Sequence, residues 1–188
     1  MAMKCVFGGV VCACGVFSLL AAEQVWLDDG PDNVWSVSAL NWDAGAGWAN
    51  GNTARFTGAG GTQAGETVDV SGAVTVAGMA FETNGYVIAD ADADGTLTLA
   101  GGGEFRVANA GDAAVVSEVV DGAGFTKTGS GRLQLSGANT FTGVVRIAEG
   151  TLRLSKWNPT VLGAAGSGNG TVVESGATLD ISAPSRTI

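Results

Sequence analysis

The chain of 188 residues contains no histidine. That absence excludes Ser-His triads, histidine general bases, histidine-ligated zinc and proximal-histidine haem. Cysteine is nearly as scarce: Cys5, Cys12 and Cys14 are the three present. Beyond them there is no disulfide, CxxC pair or thiol nucleophile to draw on. Proline is confined to Pro31, Pro159 and Pro184, so strands elsewhere are free to pair on both edges. Charged residues make up 14% of the chain, well below the usual ~25%. Nine bases stand against 18 acids, a formal net charge of −9. A nucleic-acid partner or an anionic membrane surface requires a basic patch, and neither is expected here.

What the chain has in quantity is glycine, with 31 residues, and apolar side chains at 46%. Hydrophobicity that high with so little charge is the opposite of a disordered composition. The acids are also unevenly placed. Residues 23–126 hold 15 of them with Arg55 and Arg106 as the bases, whereas 127–188 hold three acids and six bases. An elongated molecule with distinct ends would produce this pattern, and so would an ordinary solvated surface.

Residues 1–22 read as a secretory signal peptide. Lys4 supplies the positive start, Cys5 to Leu20 are apolar or small, and Ala21-Ala22 precede the abrupt polarity of Glu23-Gln24. Cleavage is expected after Ala22 or one residue earlier. Two rival readings are an uncleaved anchor helix, since the apolar stretch barely reaches spanning length, and lipidation at Cys14. Either way the chain is expected to be exported, with no membrane insertion of the mature part. That part is one domain of ordinary size, read as an N-terminal cap region over 23–64 and a repetitive body over 65–188.

In the body, apolar residues recur two apart: Val68/Val70, Val74/Val76, Met79/Phe81, Tyr86/Ile88, Leu97/Leu99, Phe105/Val107, Leu133/Leu135, Val145/Ile147, Leu152/Leu154 and Leu179/Ile181. Alternation over so few residues marks short, half-buried strands. Glycine, asparagine, serine and aspartate between the pairs turn the chain. A sandwich with hairpins at Asn84-Gly85 and Asn169-Gly170 is one all-β solution. A β-solenoid is the other, and the phrase Gly-x-Leu-x-Leu favours it. It recurs at 95–99, 131–135 and 150–154, with a looser copy at 176–181. Apolar pairs this short stack well as rungs; at ~20 residues per coil and ~4.8 Å per rung the body gives about six coils.

Residues 124–154 resemble the autotransporter-associated β-strand repeat of bacterial passenger domains. The match is carried by Lys127, Gly129, Gly131, Leu133, Leu135, Gly137, Asn139, Thr140, Thr142, Gly143, Gly150 and Leu152. Phe125, Phe141 and Val144-Val145 depart from the usual Leu, Tyr and Gly/Thr pair. Asn41-Trp42, Trp48-Ala49-Asn50-Gly51 and Ala54-Arg55-Phe56 look like the start of such passengers. The resemblance implies an all-β, single-stranded, right-handed parallel β-helix, here with a Trp-rich N-terminal cap. It also implies a non-enzymatic cell-surface or secreted scaffold of adhesin type. Such passengers precede a membrane barrel of ~10-residue alternating strands; no part of this sequence reads as one, so the chain is expected to be a truncated reading frame, a fragment or a degenerate passenger, with a genuinely short secreted protein as the alternative.

Three constellations are candidates for chemistry. Asp90-Ala-Asp92-Ala-Asp94-Gly95 sets carboxylates at alternate positions before a glycine, as calcium loops begin. Gly101 stands where the closing Glu of a helix–loop–helix site would fall, so a weak non-helical Ca2+ site and a solvated acidic corner are the two readings. No other cofactor is implied. Trp26, Trp35, Trp42 and Trp48 cluster early; they are either core and cap fillers or stacking faces for surface glycans, the latter making a carbohydrate-binding module. Asp92, Asp94 and Arg106 are the residues from which a polysaccharide lyase or glycosidase site would have to be built. No P-loop, nucleophile elbow or zinc motif accompanies them, and Gly166–Gly170 reads as a flexible corner.

Overall fold

The computed structural model describes residues 21–27, 32–58, 66–154 and 160–182. Residues 1–20, most of the expected signal peptide over 1–22, lie outside the described residues, as do 28–31.

Fifteen short strands follow one another without a helix among the described residues. In chain order they are β1 (Glu23–Val25), β2 (Val34–Trp35), β3 (Thr53–Phe56), β4 (Thr67–Val70), β5 (Ala73–Phe81), β6 (Val87–Ala89), β7 (Thr96–Val107) and β8 (Ala113–Val116). The series continues with β9 (Val120–Gly122), β10 (Thr126–Thr128), β11 (Arg132–Leu135), β12 (Val144–Ile147), β13 (Thr151–Leu154), β14 (Gly170–Val173) and β15 (Thr178–Asp180). Apart from β9, which joins the first sheet by pairing with β7, successive strands alternate between two sheets. One runs β1-β3-β5-β7-β10-β12-β14 and the other β2-β4-β6-β8-β11-β13-β15. Every pairing between named strands is parallel. Parallel neighbours joined by a full circuit of chain form coils, so the molecule is a β-solenoid of about five turns.

The two longest strands show why the cross-section has three sides. Val74 and Val76 of β5 pair with Leu97 and Leu99 of β7, then the register shifts, and Met79 and Phe81 pair with Phe105 and Val107. The first half of β7 then pairs with β9 and the second half with β10. Each long strand therefore bends across a corner and serves two faces. The coils approach closely at this corner: a Cβ on Gly122 (φ +97°) would lie 2.2 Å from the Leu99 carbonyl oxygen. Only glycine tolerates that approach and that dihedral.

Inside, the period-two pairs stack in register. Val68, Ile88, Val116, Leu135 and Leu154 form one ladder, and Leu133, Leu152 and Leu179 another. Phe56 lies flat on Phe81 at 4.9 Å between centroids, and Phe105 on Phe125 at 4.6 Å. The core is continuous from Trp26 to Val161. Burying a Leu or Phe stabilises by ~1.5–3 kcal/mol each, so these ladders supply the cohesion that no disulfide provides.

Copies of Gly-x-Leu-x-Leu at 131–135 and 150–154 stack directly in register, whereas 95–99 lies on the β5/β7/β9 side. Asn84-Gly85 makes a corner between two sheets, since β5 and β6 do not pair. Burial also fails at the last rung, where Ile181 is 68% exposed and Val173 45%. Among the described residues no further coil covers them.

Candidate functional site

The four early tryptophans come together, but inward. Trp26, Trp35 and Trp42 are fully buried and Trp48 nearly so. Trp42 lies 5.2 Å from Trp26, 5.0 Å from Trp35 and 4.5 Å from Trp48 between ring centroids, and all but Trp48 also touch Phe56. The Trp26 indole N–H donates to Glu66 Oε2 and that of Trp48 to the Thr75 carbonyl; the Trp35 and Trp42 N–H groups meet no acceptor. Sugar stacking needs an open ring face, and none of the four presents one. The glycan-stacking expectation for Trp26, Trp35, Trp42 and Trp48 is therefore corrected: their size fills the N-terminal end of the stack.

The acidic corner assembles differently from its sequence spacing. Carboxylate oxygens of Asp69, Asp90 and Asp92 lie within 4.8 Å of one another, while Asp94 accepts from the Ser71 hydroxyl at 3.1 Å. Asp69 was not apparent from the sequence; it arrives because β4 and β6 stack Asp69 on Ala89, one coil on. Much of the local hydrogen bonding is internal. Asp90 accepts from the N–H groups of Ala93, Asp94 and Gly95, and Asp69 from Ala91 N–H. Partial burial works against the Asp90 charge, but those N–H groups, Gly95 first, outweigh it and hold its carboxyl below the usual range. Asp92 is pushed upward, by desolvation and then by the adjacent Asp94 charge. A hard cation there would draw on Asp69, Asp90 and Asp92.

Behind that corner stands Glu118, 5% exposed. Burial first, and then the Asp90 charge, push its carboxyl up to about 7. The enzyme-like grouping of Asp92, Asp94 and Arg106 is not assembled, because Arg106 belongs to a different face and sits 3.6 Å from Glu82.

That other face is the outward side of the first sheet. Register places Thr53 and Arg55 of β3 on one rung, Gly78 and Ala80 of β5 on the next, and Glu104 and Arg106 of β7 on the third. The middle rung has almost no side chains, so a trough of about 310 Å³ opens between two polar rungs. Gly78 cannot be otherwise, since a Cβ there would lie 2.6 Å from the Glu104 carbonyl oxygen. At one end Arg55 bridges Glu23 (3.3 Å) and Glu82 (2.8 Å); at the other the Thr128 hydroxyl contacts Glu104.

A helix-free stack of parallel coils, with internal ladders and short polar outward rungs, defines a passenger-type β-solenoid. Comparison with known proteins agrees. Residues 125–154 match the passenger-associated-transport-repeat family. The chain is also 34% identical over 158 residues to the adhesin BmaC autotransporter of Brucella suis biovar 1 (strain 1330), a match covering 77% of this chain and 4% of that protein. No solved structure matches. With the fold, these findings place the chain among the autotransporter passenger-type repeat proteins. It spans a small fraction of the relative's length.

Proposed function

We propose that the chain is an exported, cell-surface passenger segment: a non-enzymatic, adhesin-like scaffold that holds its outward faces toward surface components of other cells. The single observation that carries this reading is the 158-residue similarity to an adhesin autotransporter, which extends well past the 30 residues of the repeat. The fold is consistent with it. Ladders of buried residues hold the coils together, and charged side chains such as Arg55, Glu82, Arg106 and Glu104 stand on one outward face. A non-enzymatic role fits the dispersal of Asp92, Asp94 and Arg106 over separate faces.

The test is location. An antibody raised to residues 23–188 should label intact cells of the native host and follow the outer-membrane or secreted fraction. Reactivity confined to lysed cells and the cytoplasmic fraction would contradict the proposal.

A further inference from the structure

Three times in the sequence an asparagine precedes a glycine: Asn50-Gly51, Asn84-Gly85 and Asn169-Gly170. The fold uses all three in one way. Thr75 N–H donates to Asn50 Oδ1 (2.8 Å), while Gly51 N–H donates to the Thr75 carbonyl (2.8 Å). Ala113 is gripped likewise: its N–H donates to Asn84 Oδ1 (2.8 Å) and its carbonyl accepts from Gly85 N–H (2.8 Å). At the third step Gly143 N–H donates to Asn169 Oδ1 (2.6 Å), and the Gly143 carbonyl accepts from Gly170 N–H (3.4 Å). Each dipeptide thus clamps both backbone groups of one residue on a neighbouring coil, 25, 29 and 26 residues away along the chain.

The two clamping groups are also the reacting groups of asparagine deamidation. In that reaction the backbone nitrogen of the following residue attacks the side-chain Cγ. A C–N bond forms, the nitrogen loses its proton, and the side-chain amide leaves as ammonia. Water then opens the cyclic imide at either carbonyl, giving aspartate or an isoaspartate whose main chain is one atom longer. Glycine, with no Cβ, hinders the attack least.

We infer that the three Asn-Gly steps are self-modification sites that the stacking of coils holds shut, and that Asn169 is the first to react. In the clamp the nitrogen that must attack is engaged as a donor, and the side chain that must swing onto it is held by a different N–H. Reaction waits for the two coils to part at that corner, a local opening. Asn50 and Asn84 lead into β3 and β6, each paired on both sides, with β1 and β5 and with β4 and β8. Asn169 leads into β14, which among the described residues pairs with β12 alone. A single ladder therefore holds that corner. Its glycine also makes the longest of the three N–H contacts, and the strand it opens leaves Val173 45% exposed. Either product removes the Nδ2–H that Asn169 donates to the Ala164 carbonyl (2.7 Å); isoaspartate also shifts Gly170 away from Gly143. The reaction loosens the last coil and leaves the others stacked.

The test uses the full chain, incubated in mildly alkaline buffer either folded or unfolded in guanidinium chloride. Peptide mass mapping reads the exchange of NH2 for OH at each asparagine. Unfolded, all three Asn-Gly steps should react at similar rates. Folded, Asn169 should react first, and Asn50 and Asn84 at least about tenfold more slowly than in the unfolded chain, as rarely opening corners do. Gly170→Ala assigns the attacking atom, because a Cβ there meets nothing within 4 Å and the backbone is not left-handed. That variant should slow the reaction of Asn169 in the unfolded chain and leave Asn50 and Asn84 unchanged. Equal folded and unfolded rates at Asn50 and Asn84 would show that the clamps guard nothing. In the folded chain, an Asn169 as inert as the other two, or slower, would overturn its place as the first site.

Discussion

Lys127 stacks in register on Phe105 and points with it into the core, fully buried. It occupies one position of the ladder Ala54, Met79, Phe105, Lys127, Ile147. Its alkyl stem takes the place of an aliphatic side chain, in the manner of long cations that bury their stems. The ammonium ends at a corner, donating to the carbonyl oxygens of Thr128 (2.7 Å), Gly129 (2.8 Å) and, one coil on, Glu149 (3.2 Å).

Replacing this residue tests whether packing or hydrogen bonding dominates. Lys127→Met keeps the stem's volume but leaves three carbonyls without that donor. Losing buried partners costs ~1–3 kcal/mol, so chemical denaturation should show a net loss in that range. A Lys127→Met chain as stable as the parent would mean the three carbonyls are satisfied without the ammonium.

Two buried titrating groups give opposite pH dependences. Glu118 is raised from 4.5 to about 7, by burial and then the Asp90 charge. A raised folded value means its contribution is full below pH 4.5 and is lost as pH rises through 7. Lys127 is lowered from 10.5 to about 8, by burial opposed by the Glu149 charge. Its contribution is present above 10.5 and is lost as pH falls through 8. These two groups therefore place a minimum of stability between pH 7 and 8. Glu118→Gln should flatten the acid-side limb and Lys127→Met the alkaline one, measured as denaturation midpoints across pH 4–11.

Trp42 contacts all three other early tryptophans and Phe56. Trp42→Ala should therefore cost ~3–5 kcal/mol as a core truncation and lower the melting midpoint. Should the variant melt like the parent, Trp42 is not core.

The acidic corner is held by Asp90 as the acceptor for three backbone N–H groups. Ala93 within it has φ +63°, a conformation costing an L-residue ~1–2 kcal/mol. Asp90→Ala should lower the melting midpoint, as loss of a capping-type acceptor does, and Ala93→Gly should raise it slightly. Both effects should be the same in millimolar calcium and in chelator. A calcium-dependent midpoint that disappears in Asp92→Asn would instead assign Asp69, Asp90 and Asp92 to a cation.

The strands were legible because burial on one side of a short strand forces period-two spacing, and nearly every apolar pair from Val68 to Leu152 is buried. The resemblance over 124–154 supplied the parallel coil. Register between coils was not legible, because coil length varies: Leu133 to Leu152 is 19 residues, but Ile88 to Val116 is 28. That variation hid Asp69 beneath the aspartate run and the side-chain-poor rung of Gly78 and Ala80. Lys127 and Asn139 were visible as part of the resemblance but not as core residues, since charge and amide argue for the surface. In the fold Asn139 accepts from Val120 N–H and donates to the Val161 carbonyl, tying three coils. For the tryptophans the sequence favoured cap or core filler over a ligand face, and burial decides between the two.

The stacked parallel register is what everything above depends on, and one distance reads it. Gln134 and Arg153 are half-buried register partners on adjacent coils. With Cys5, Cys12 and Cys14 changed to serine, spin labels at Gln134→Cys and Arg153→Cys should lie one strand spacing apart at the backbone, ~4.8 Å. The spectrum should then show strong dipolar broadening that each single label lacks. Narrow lines equal to the sum of the two singles would mean the coils do not stack in this register, and the solenoid described here would be wrong.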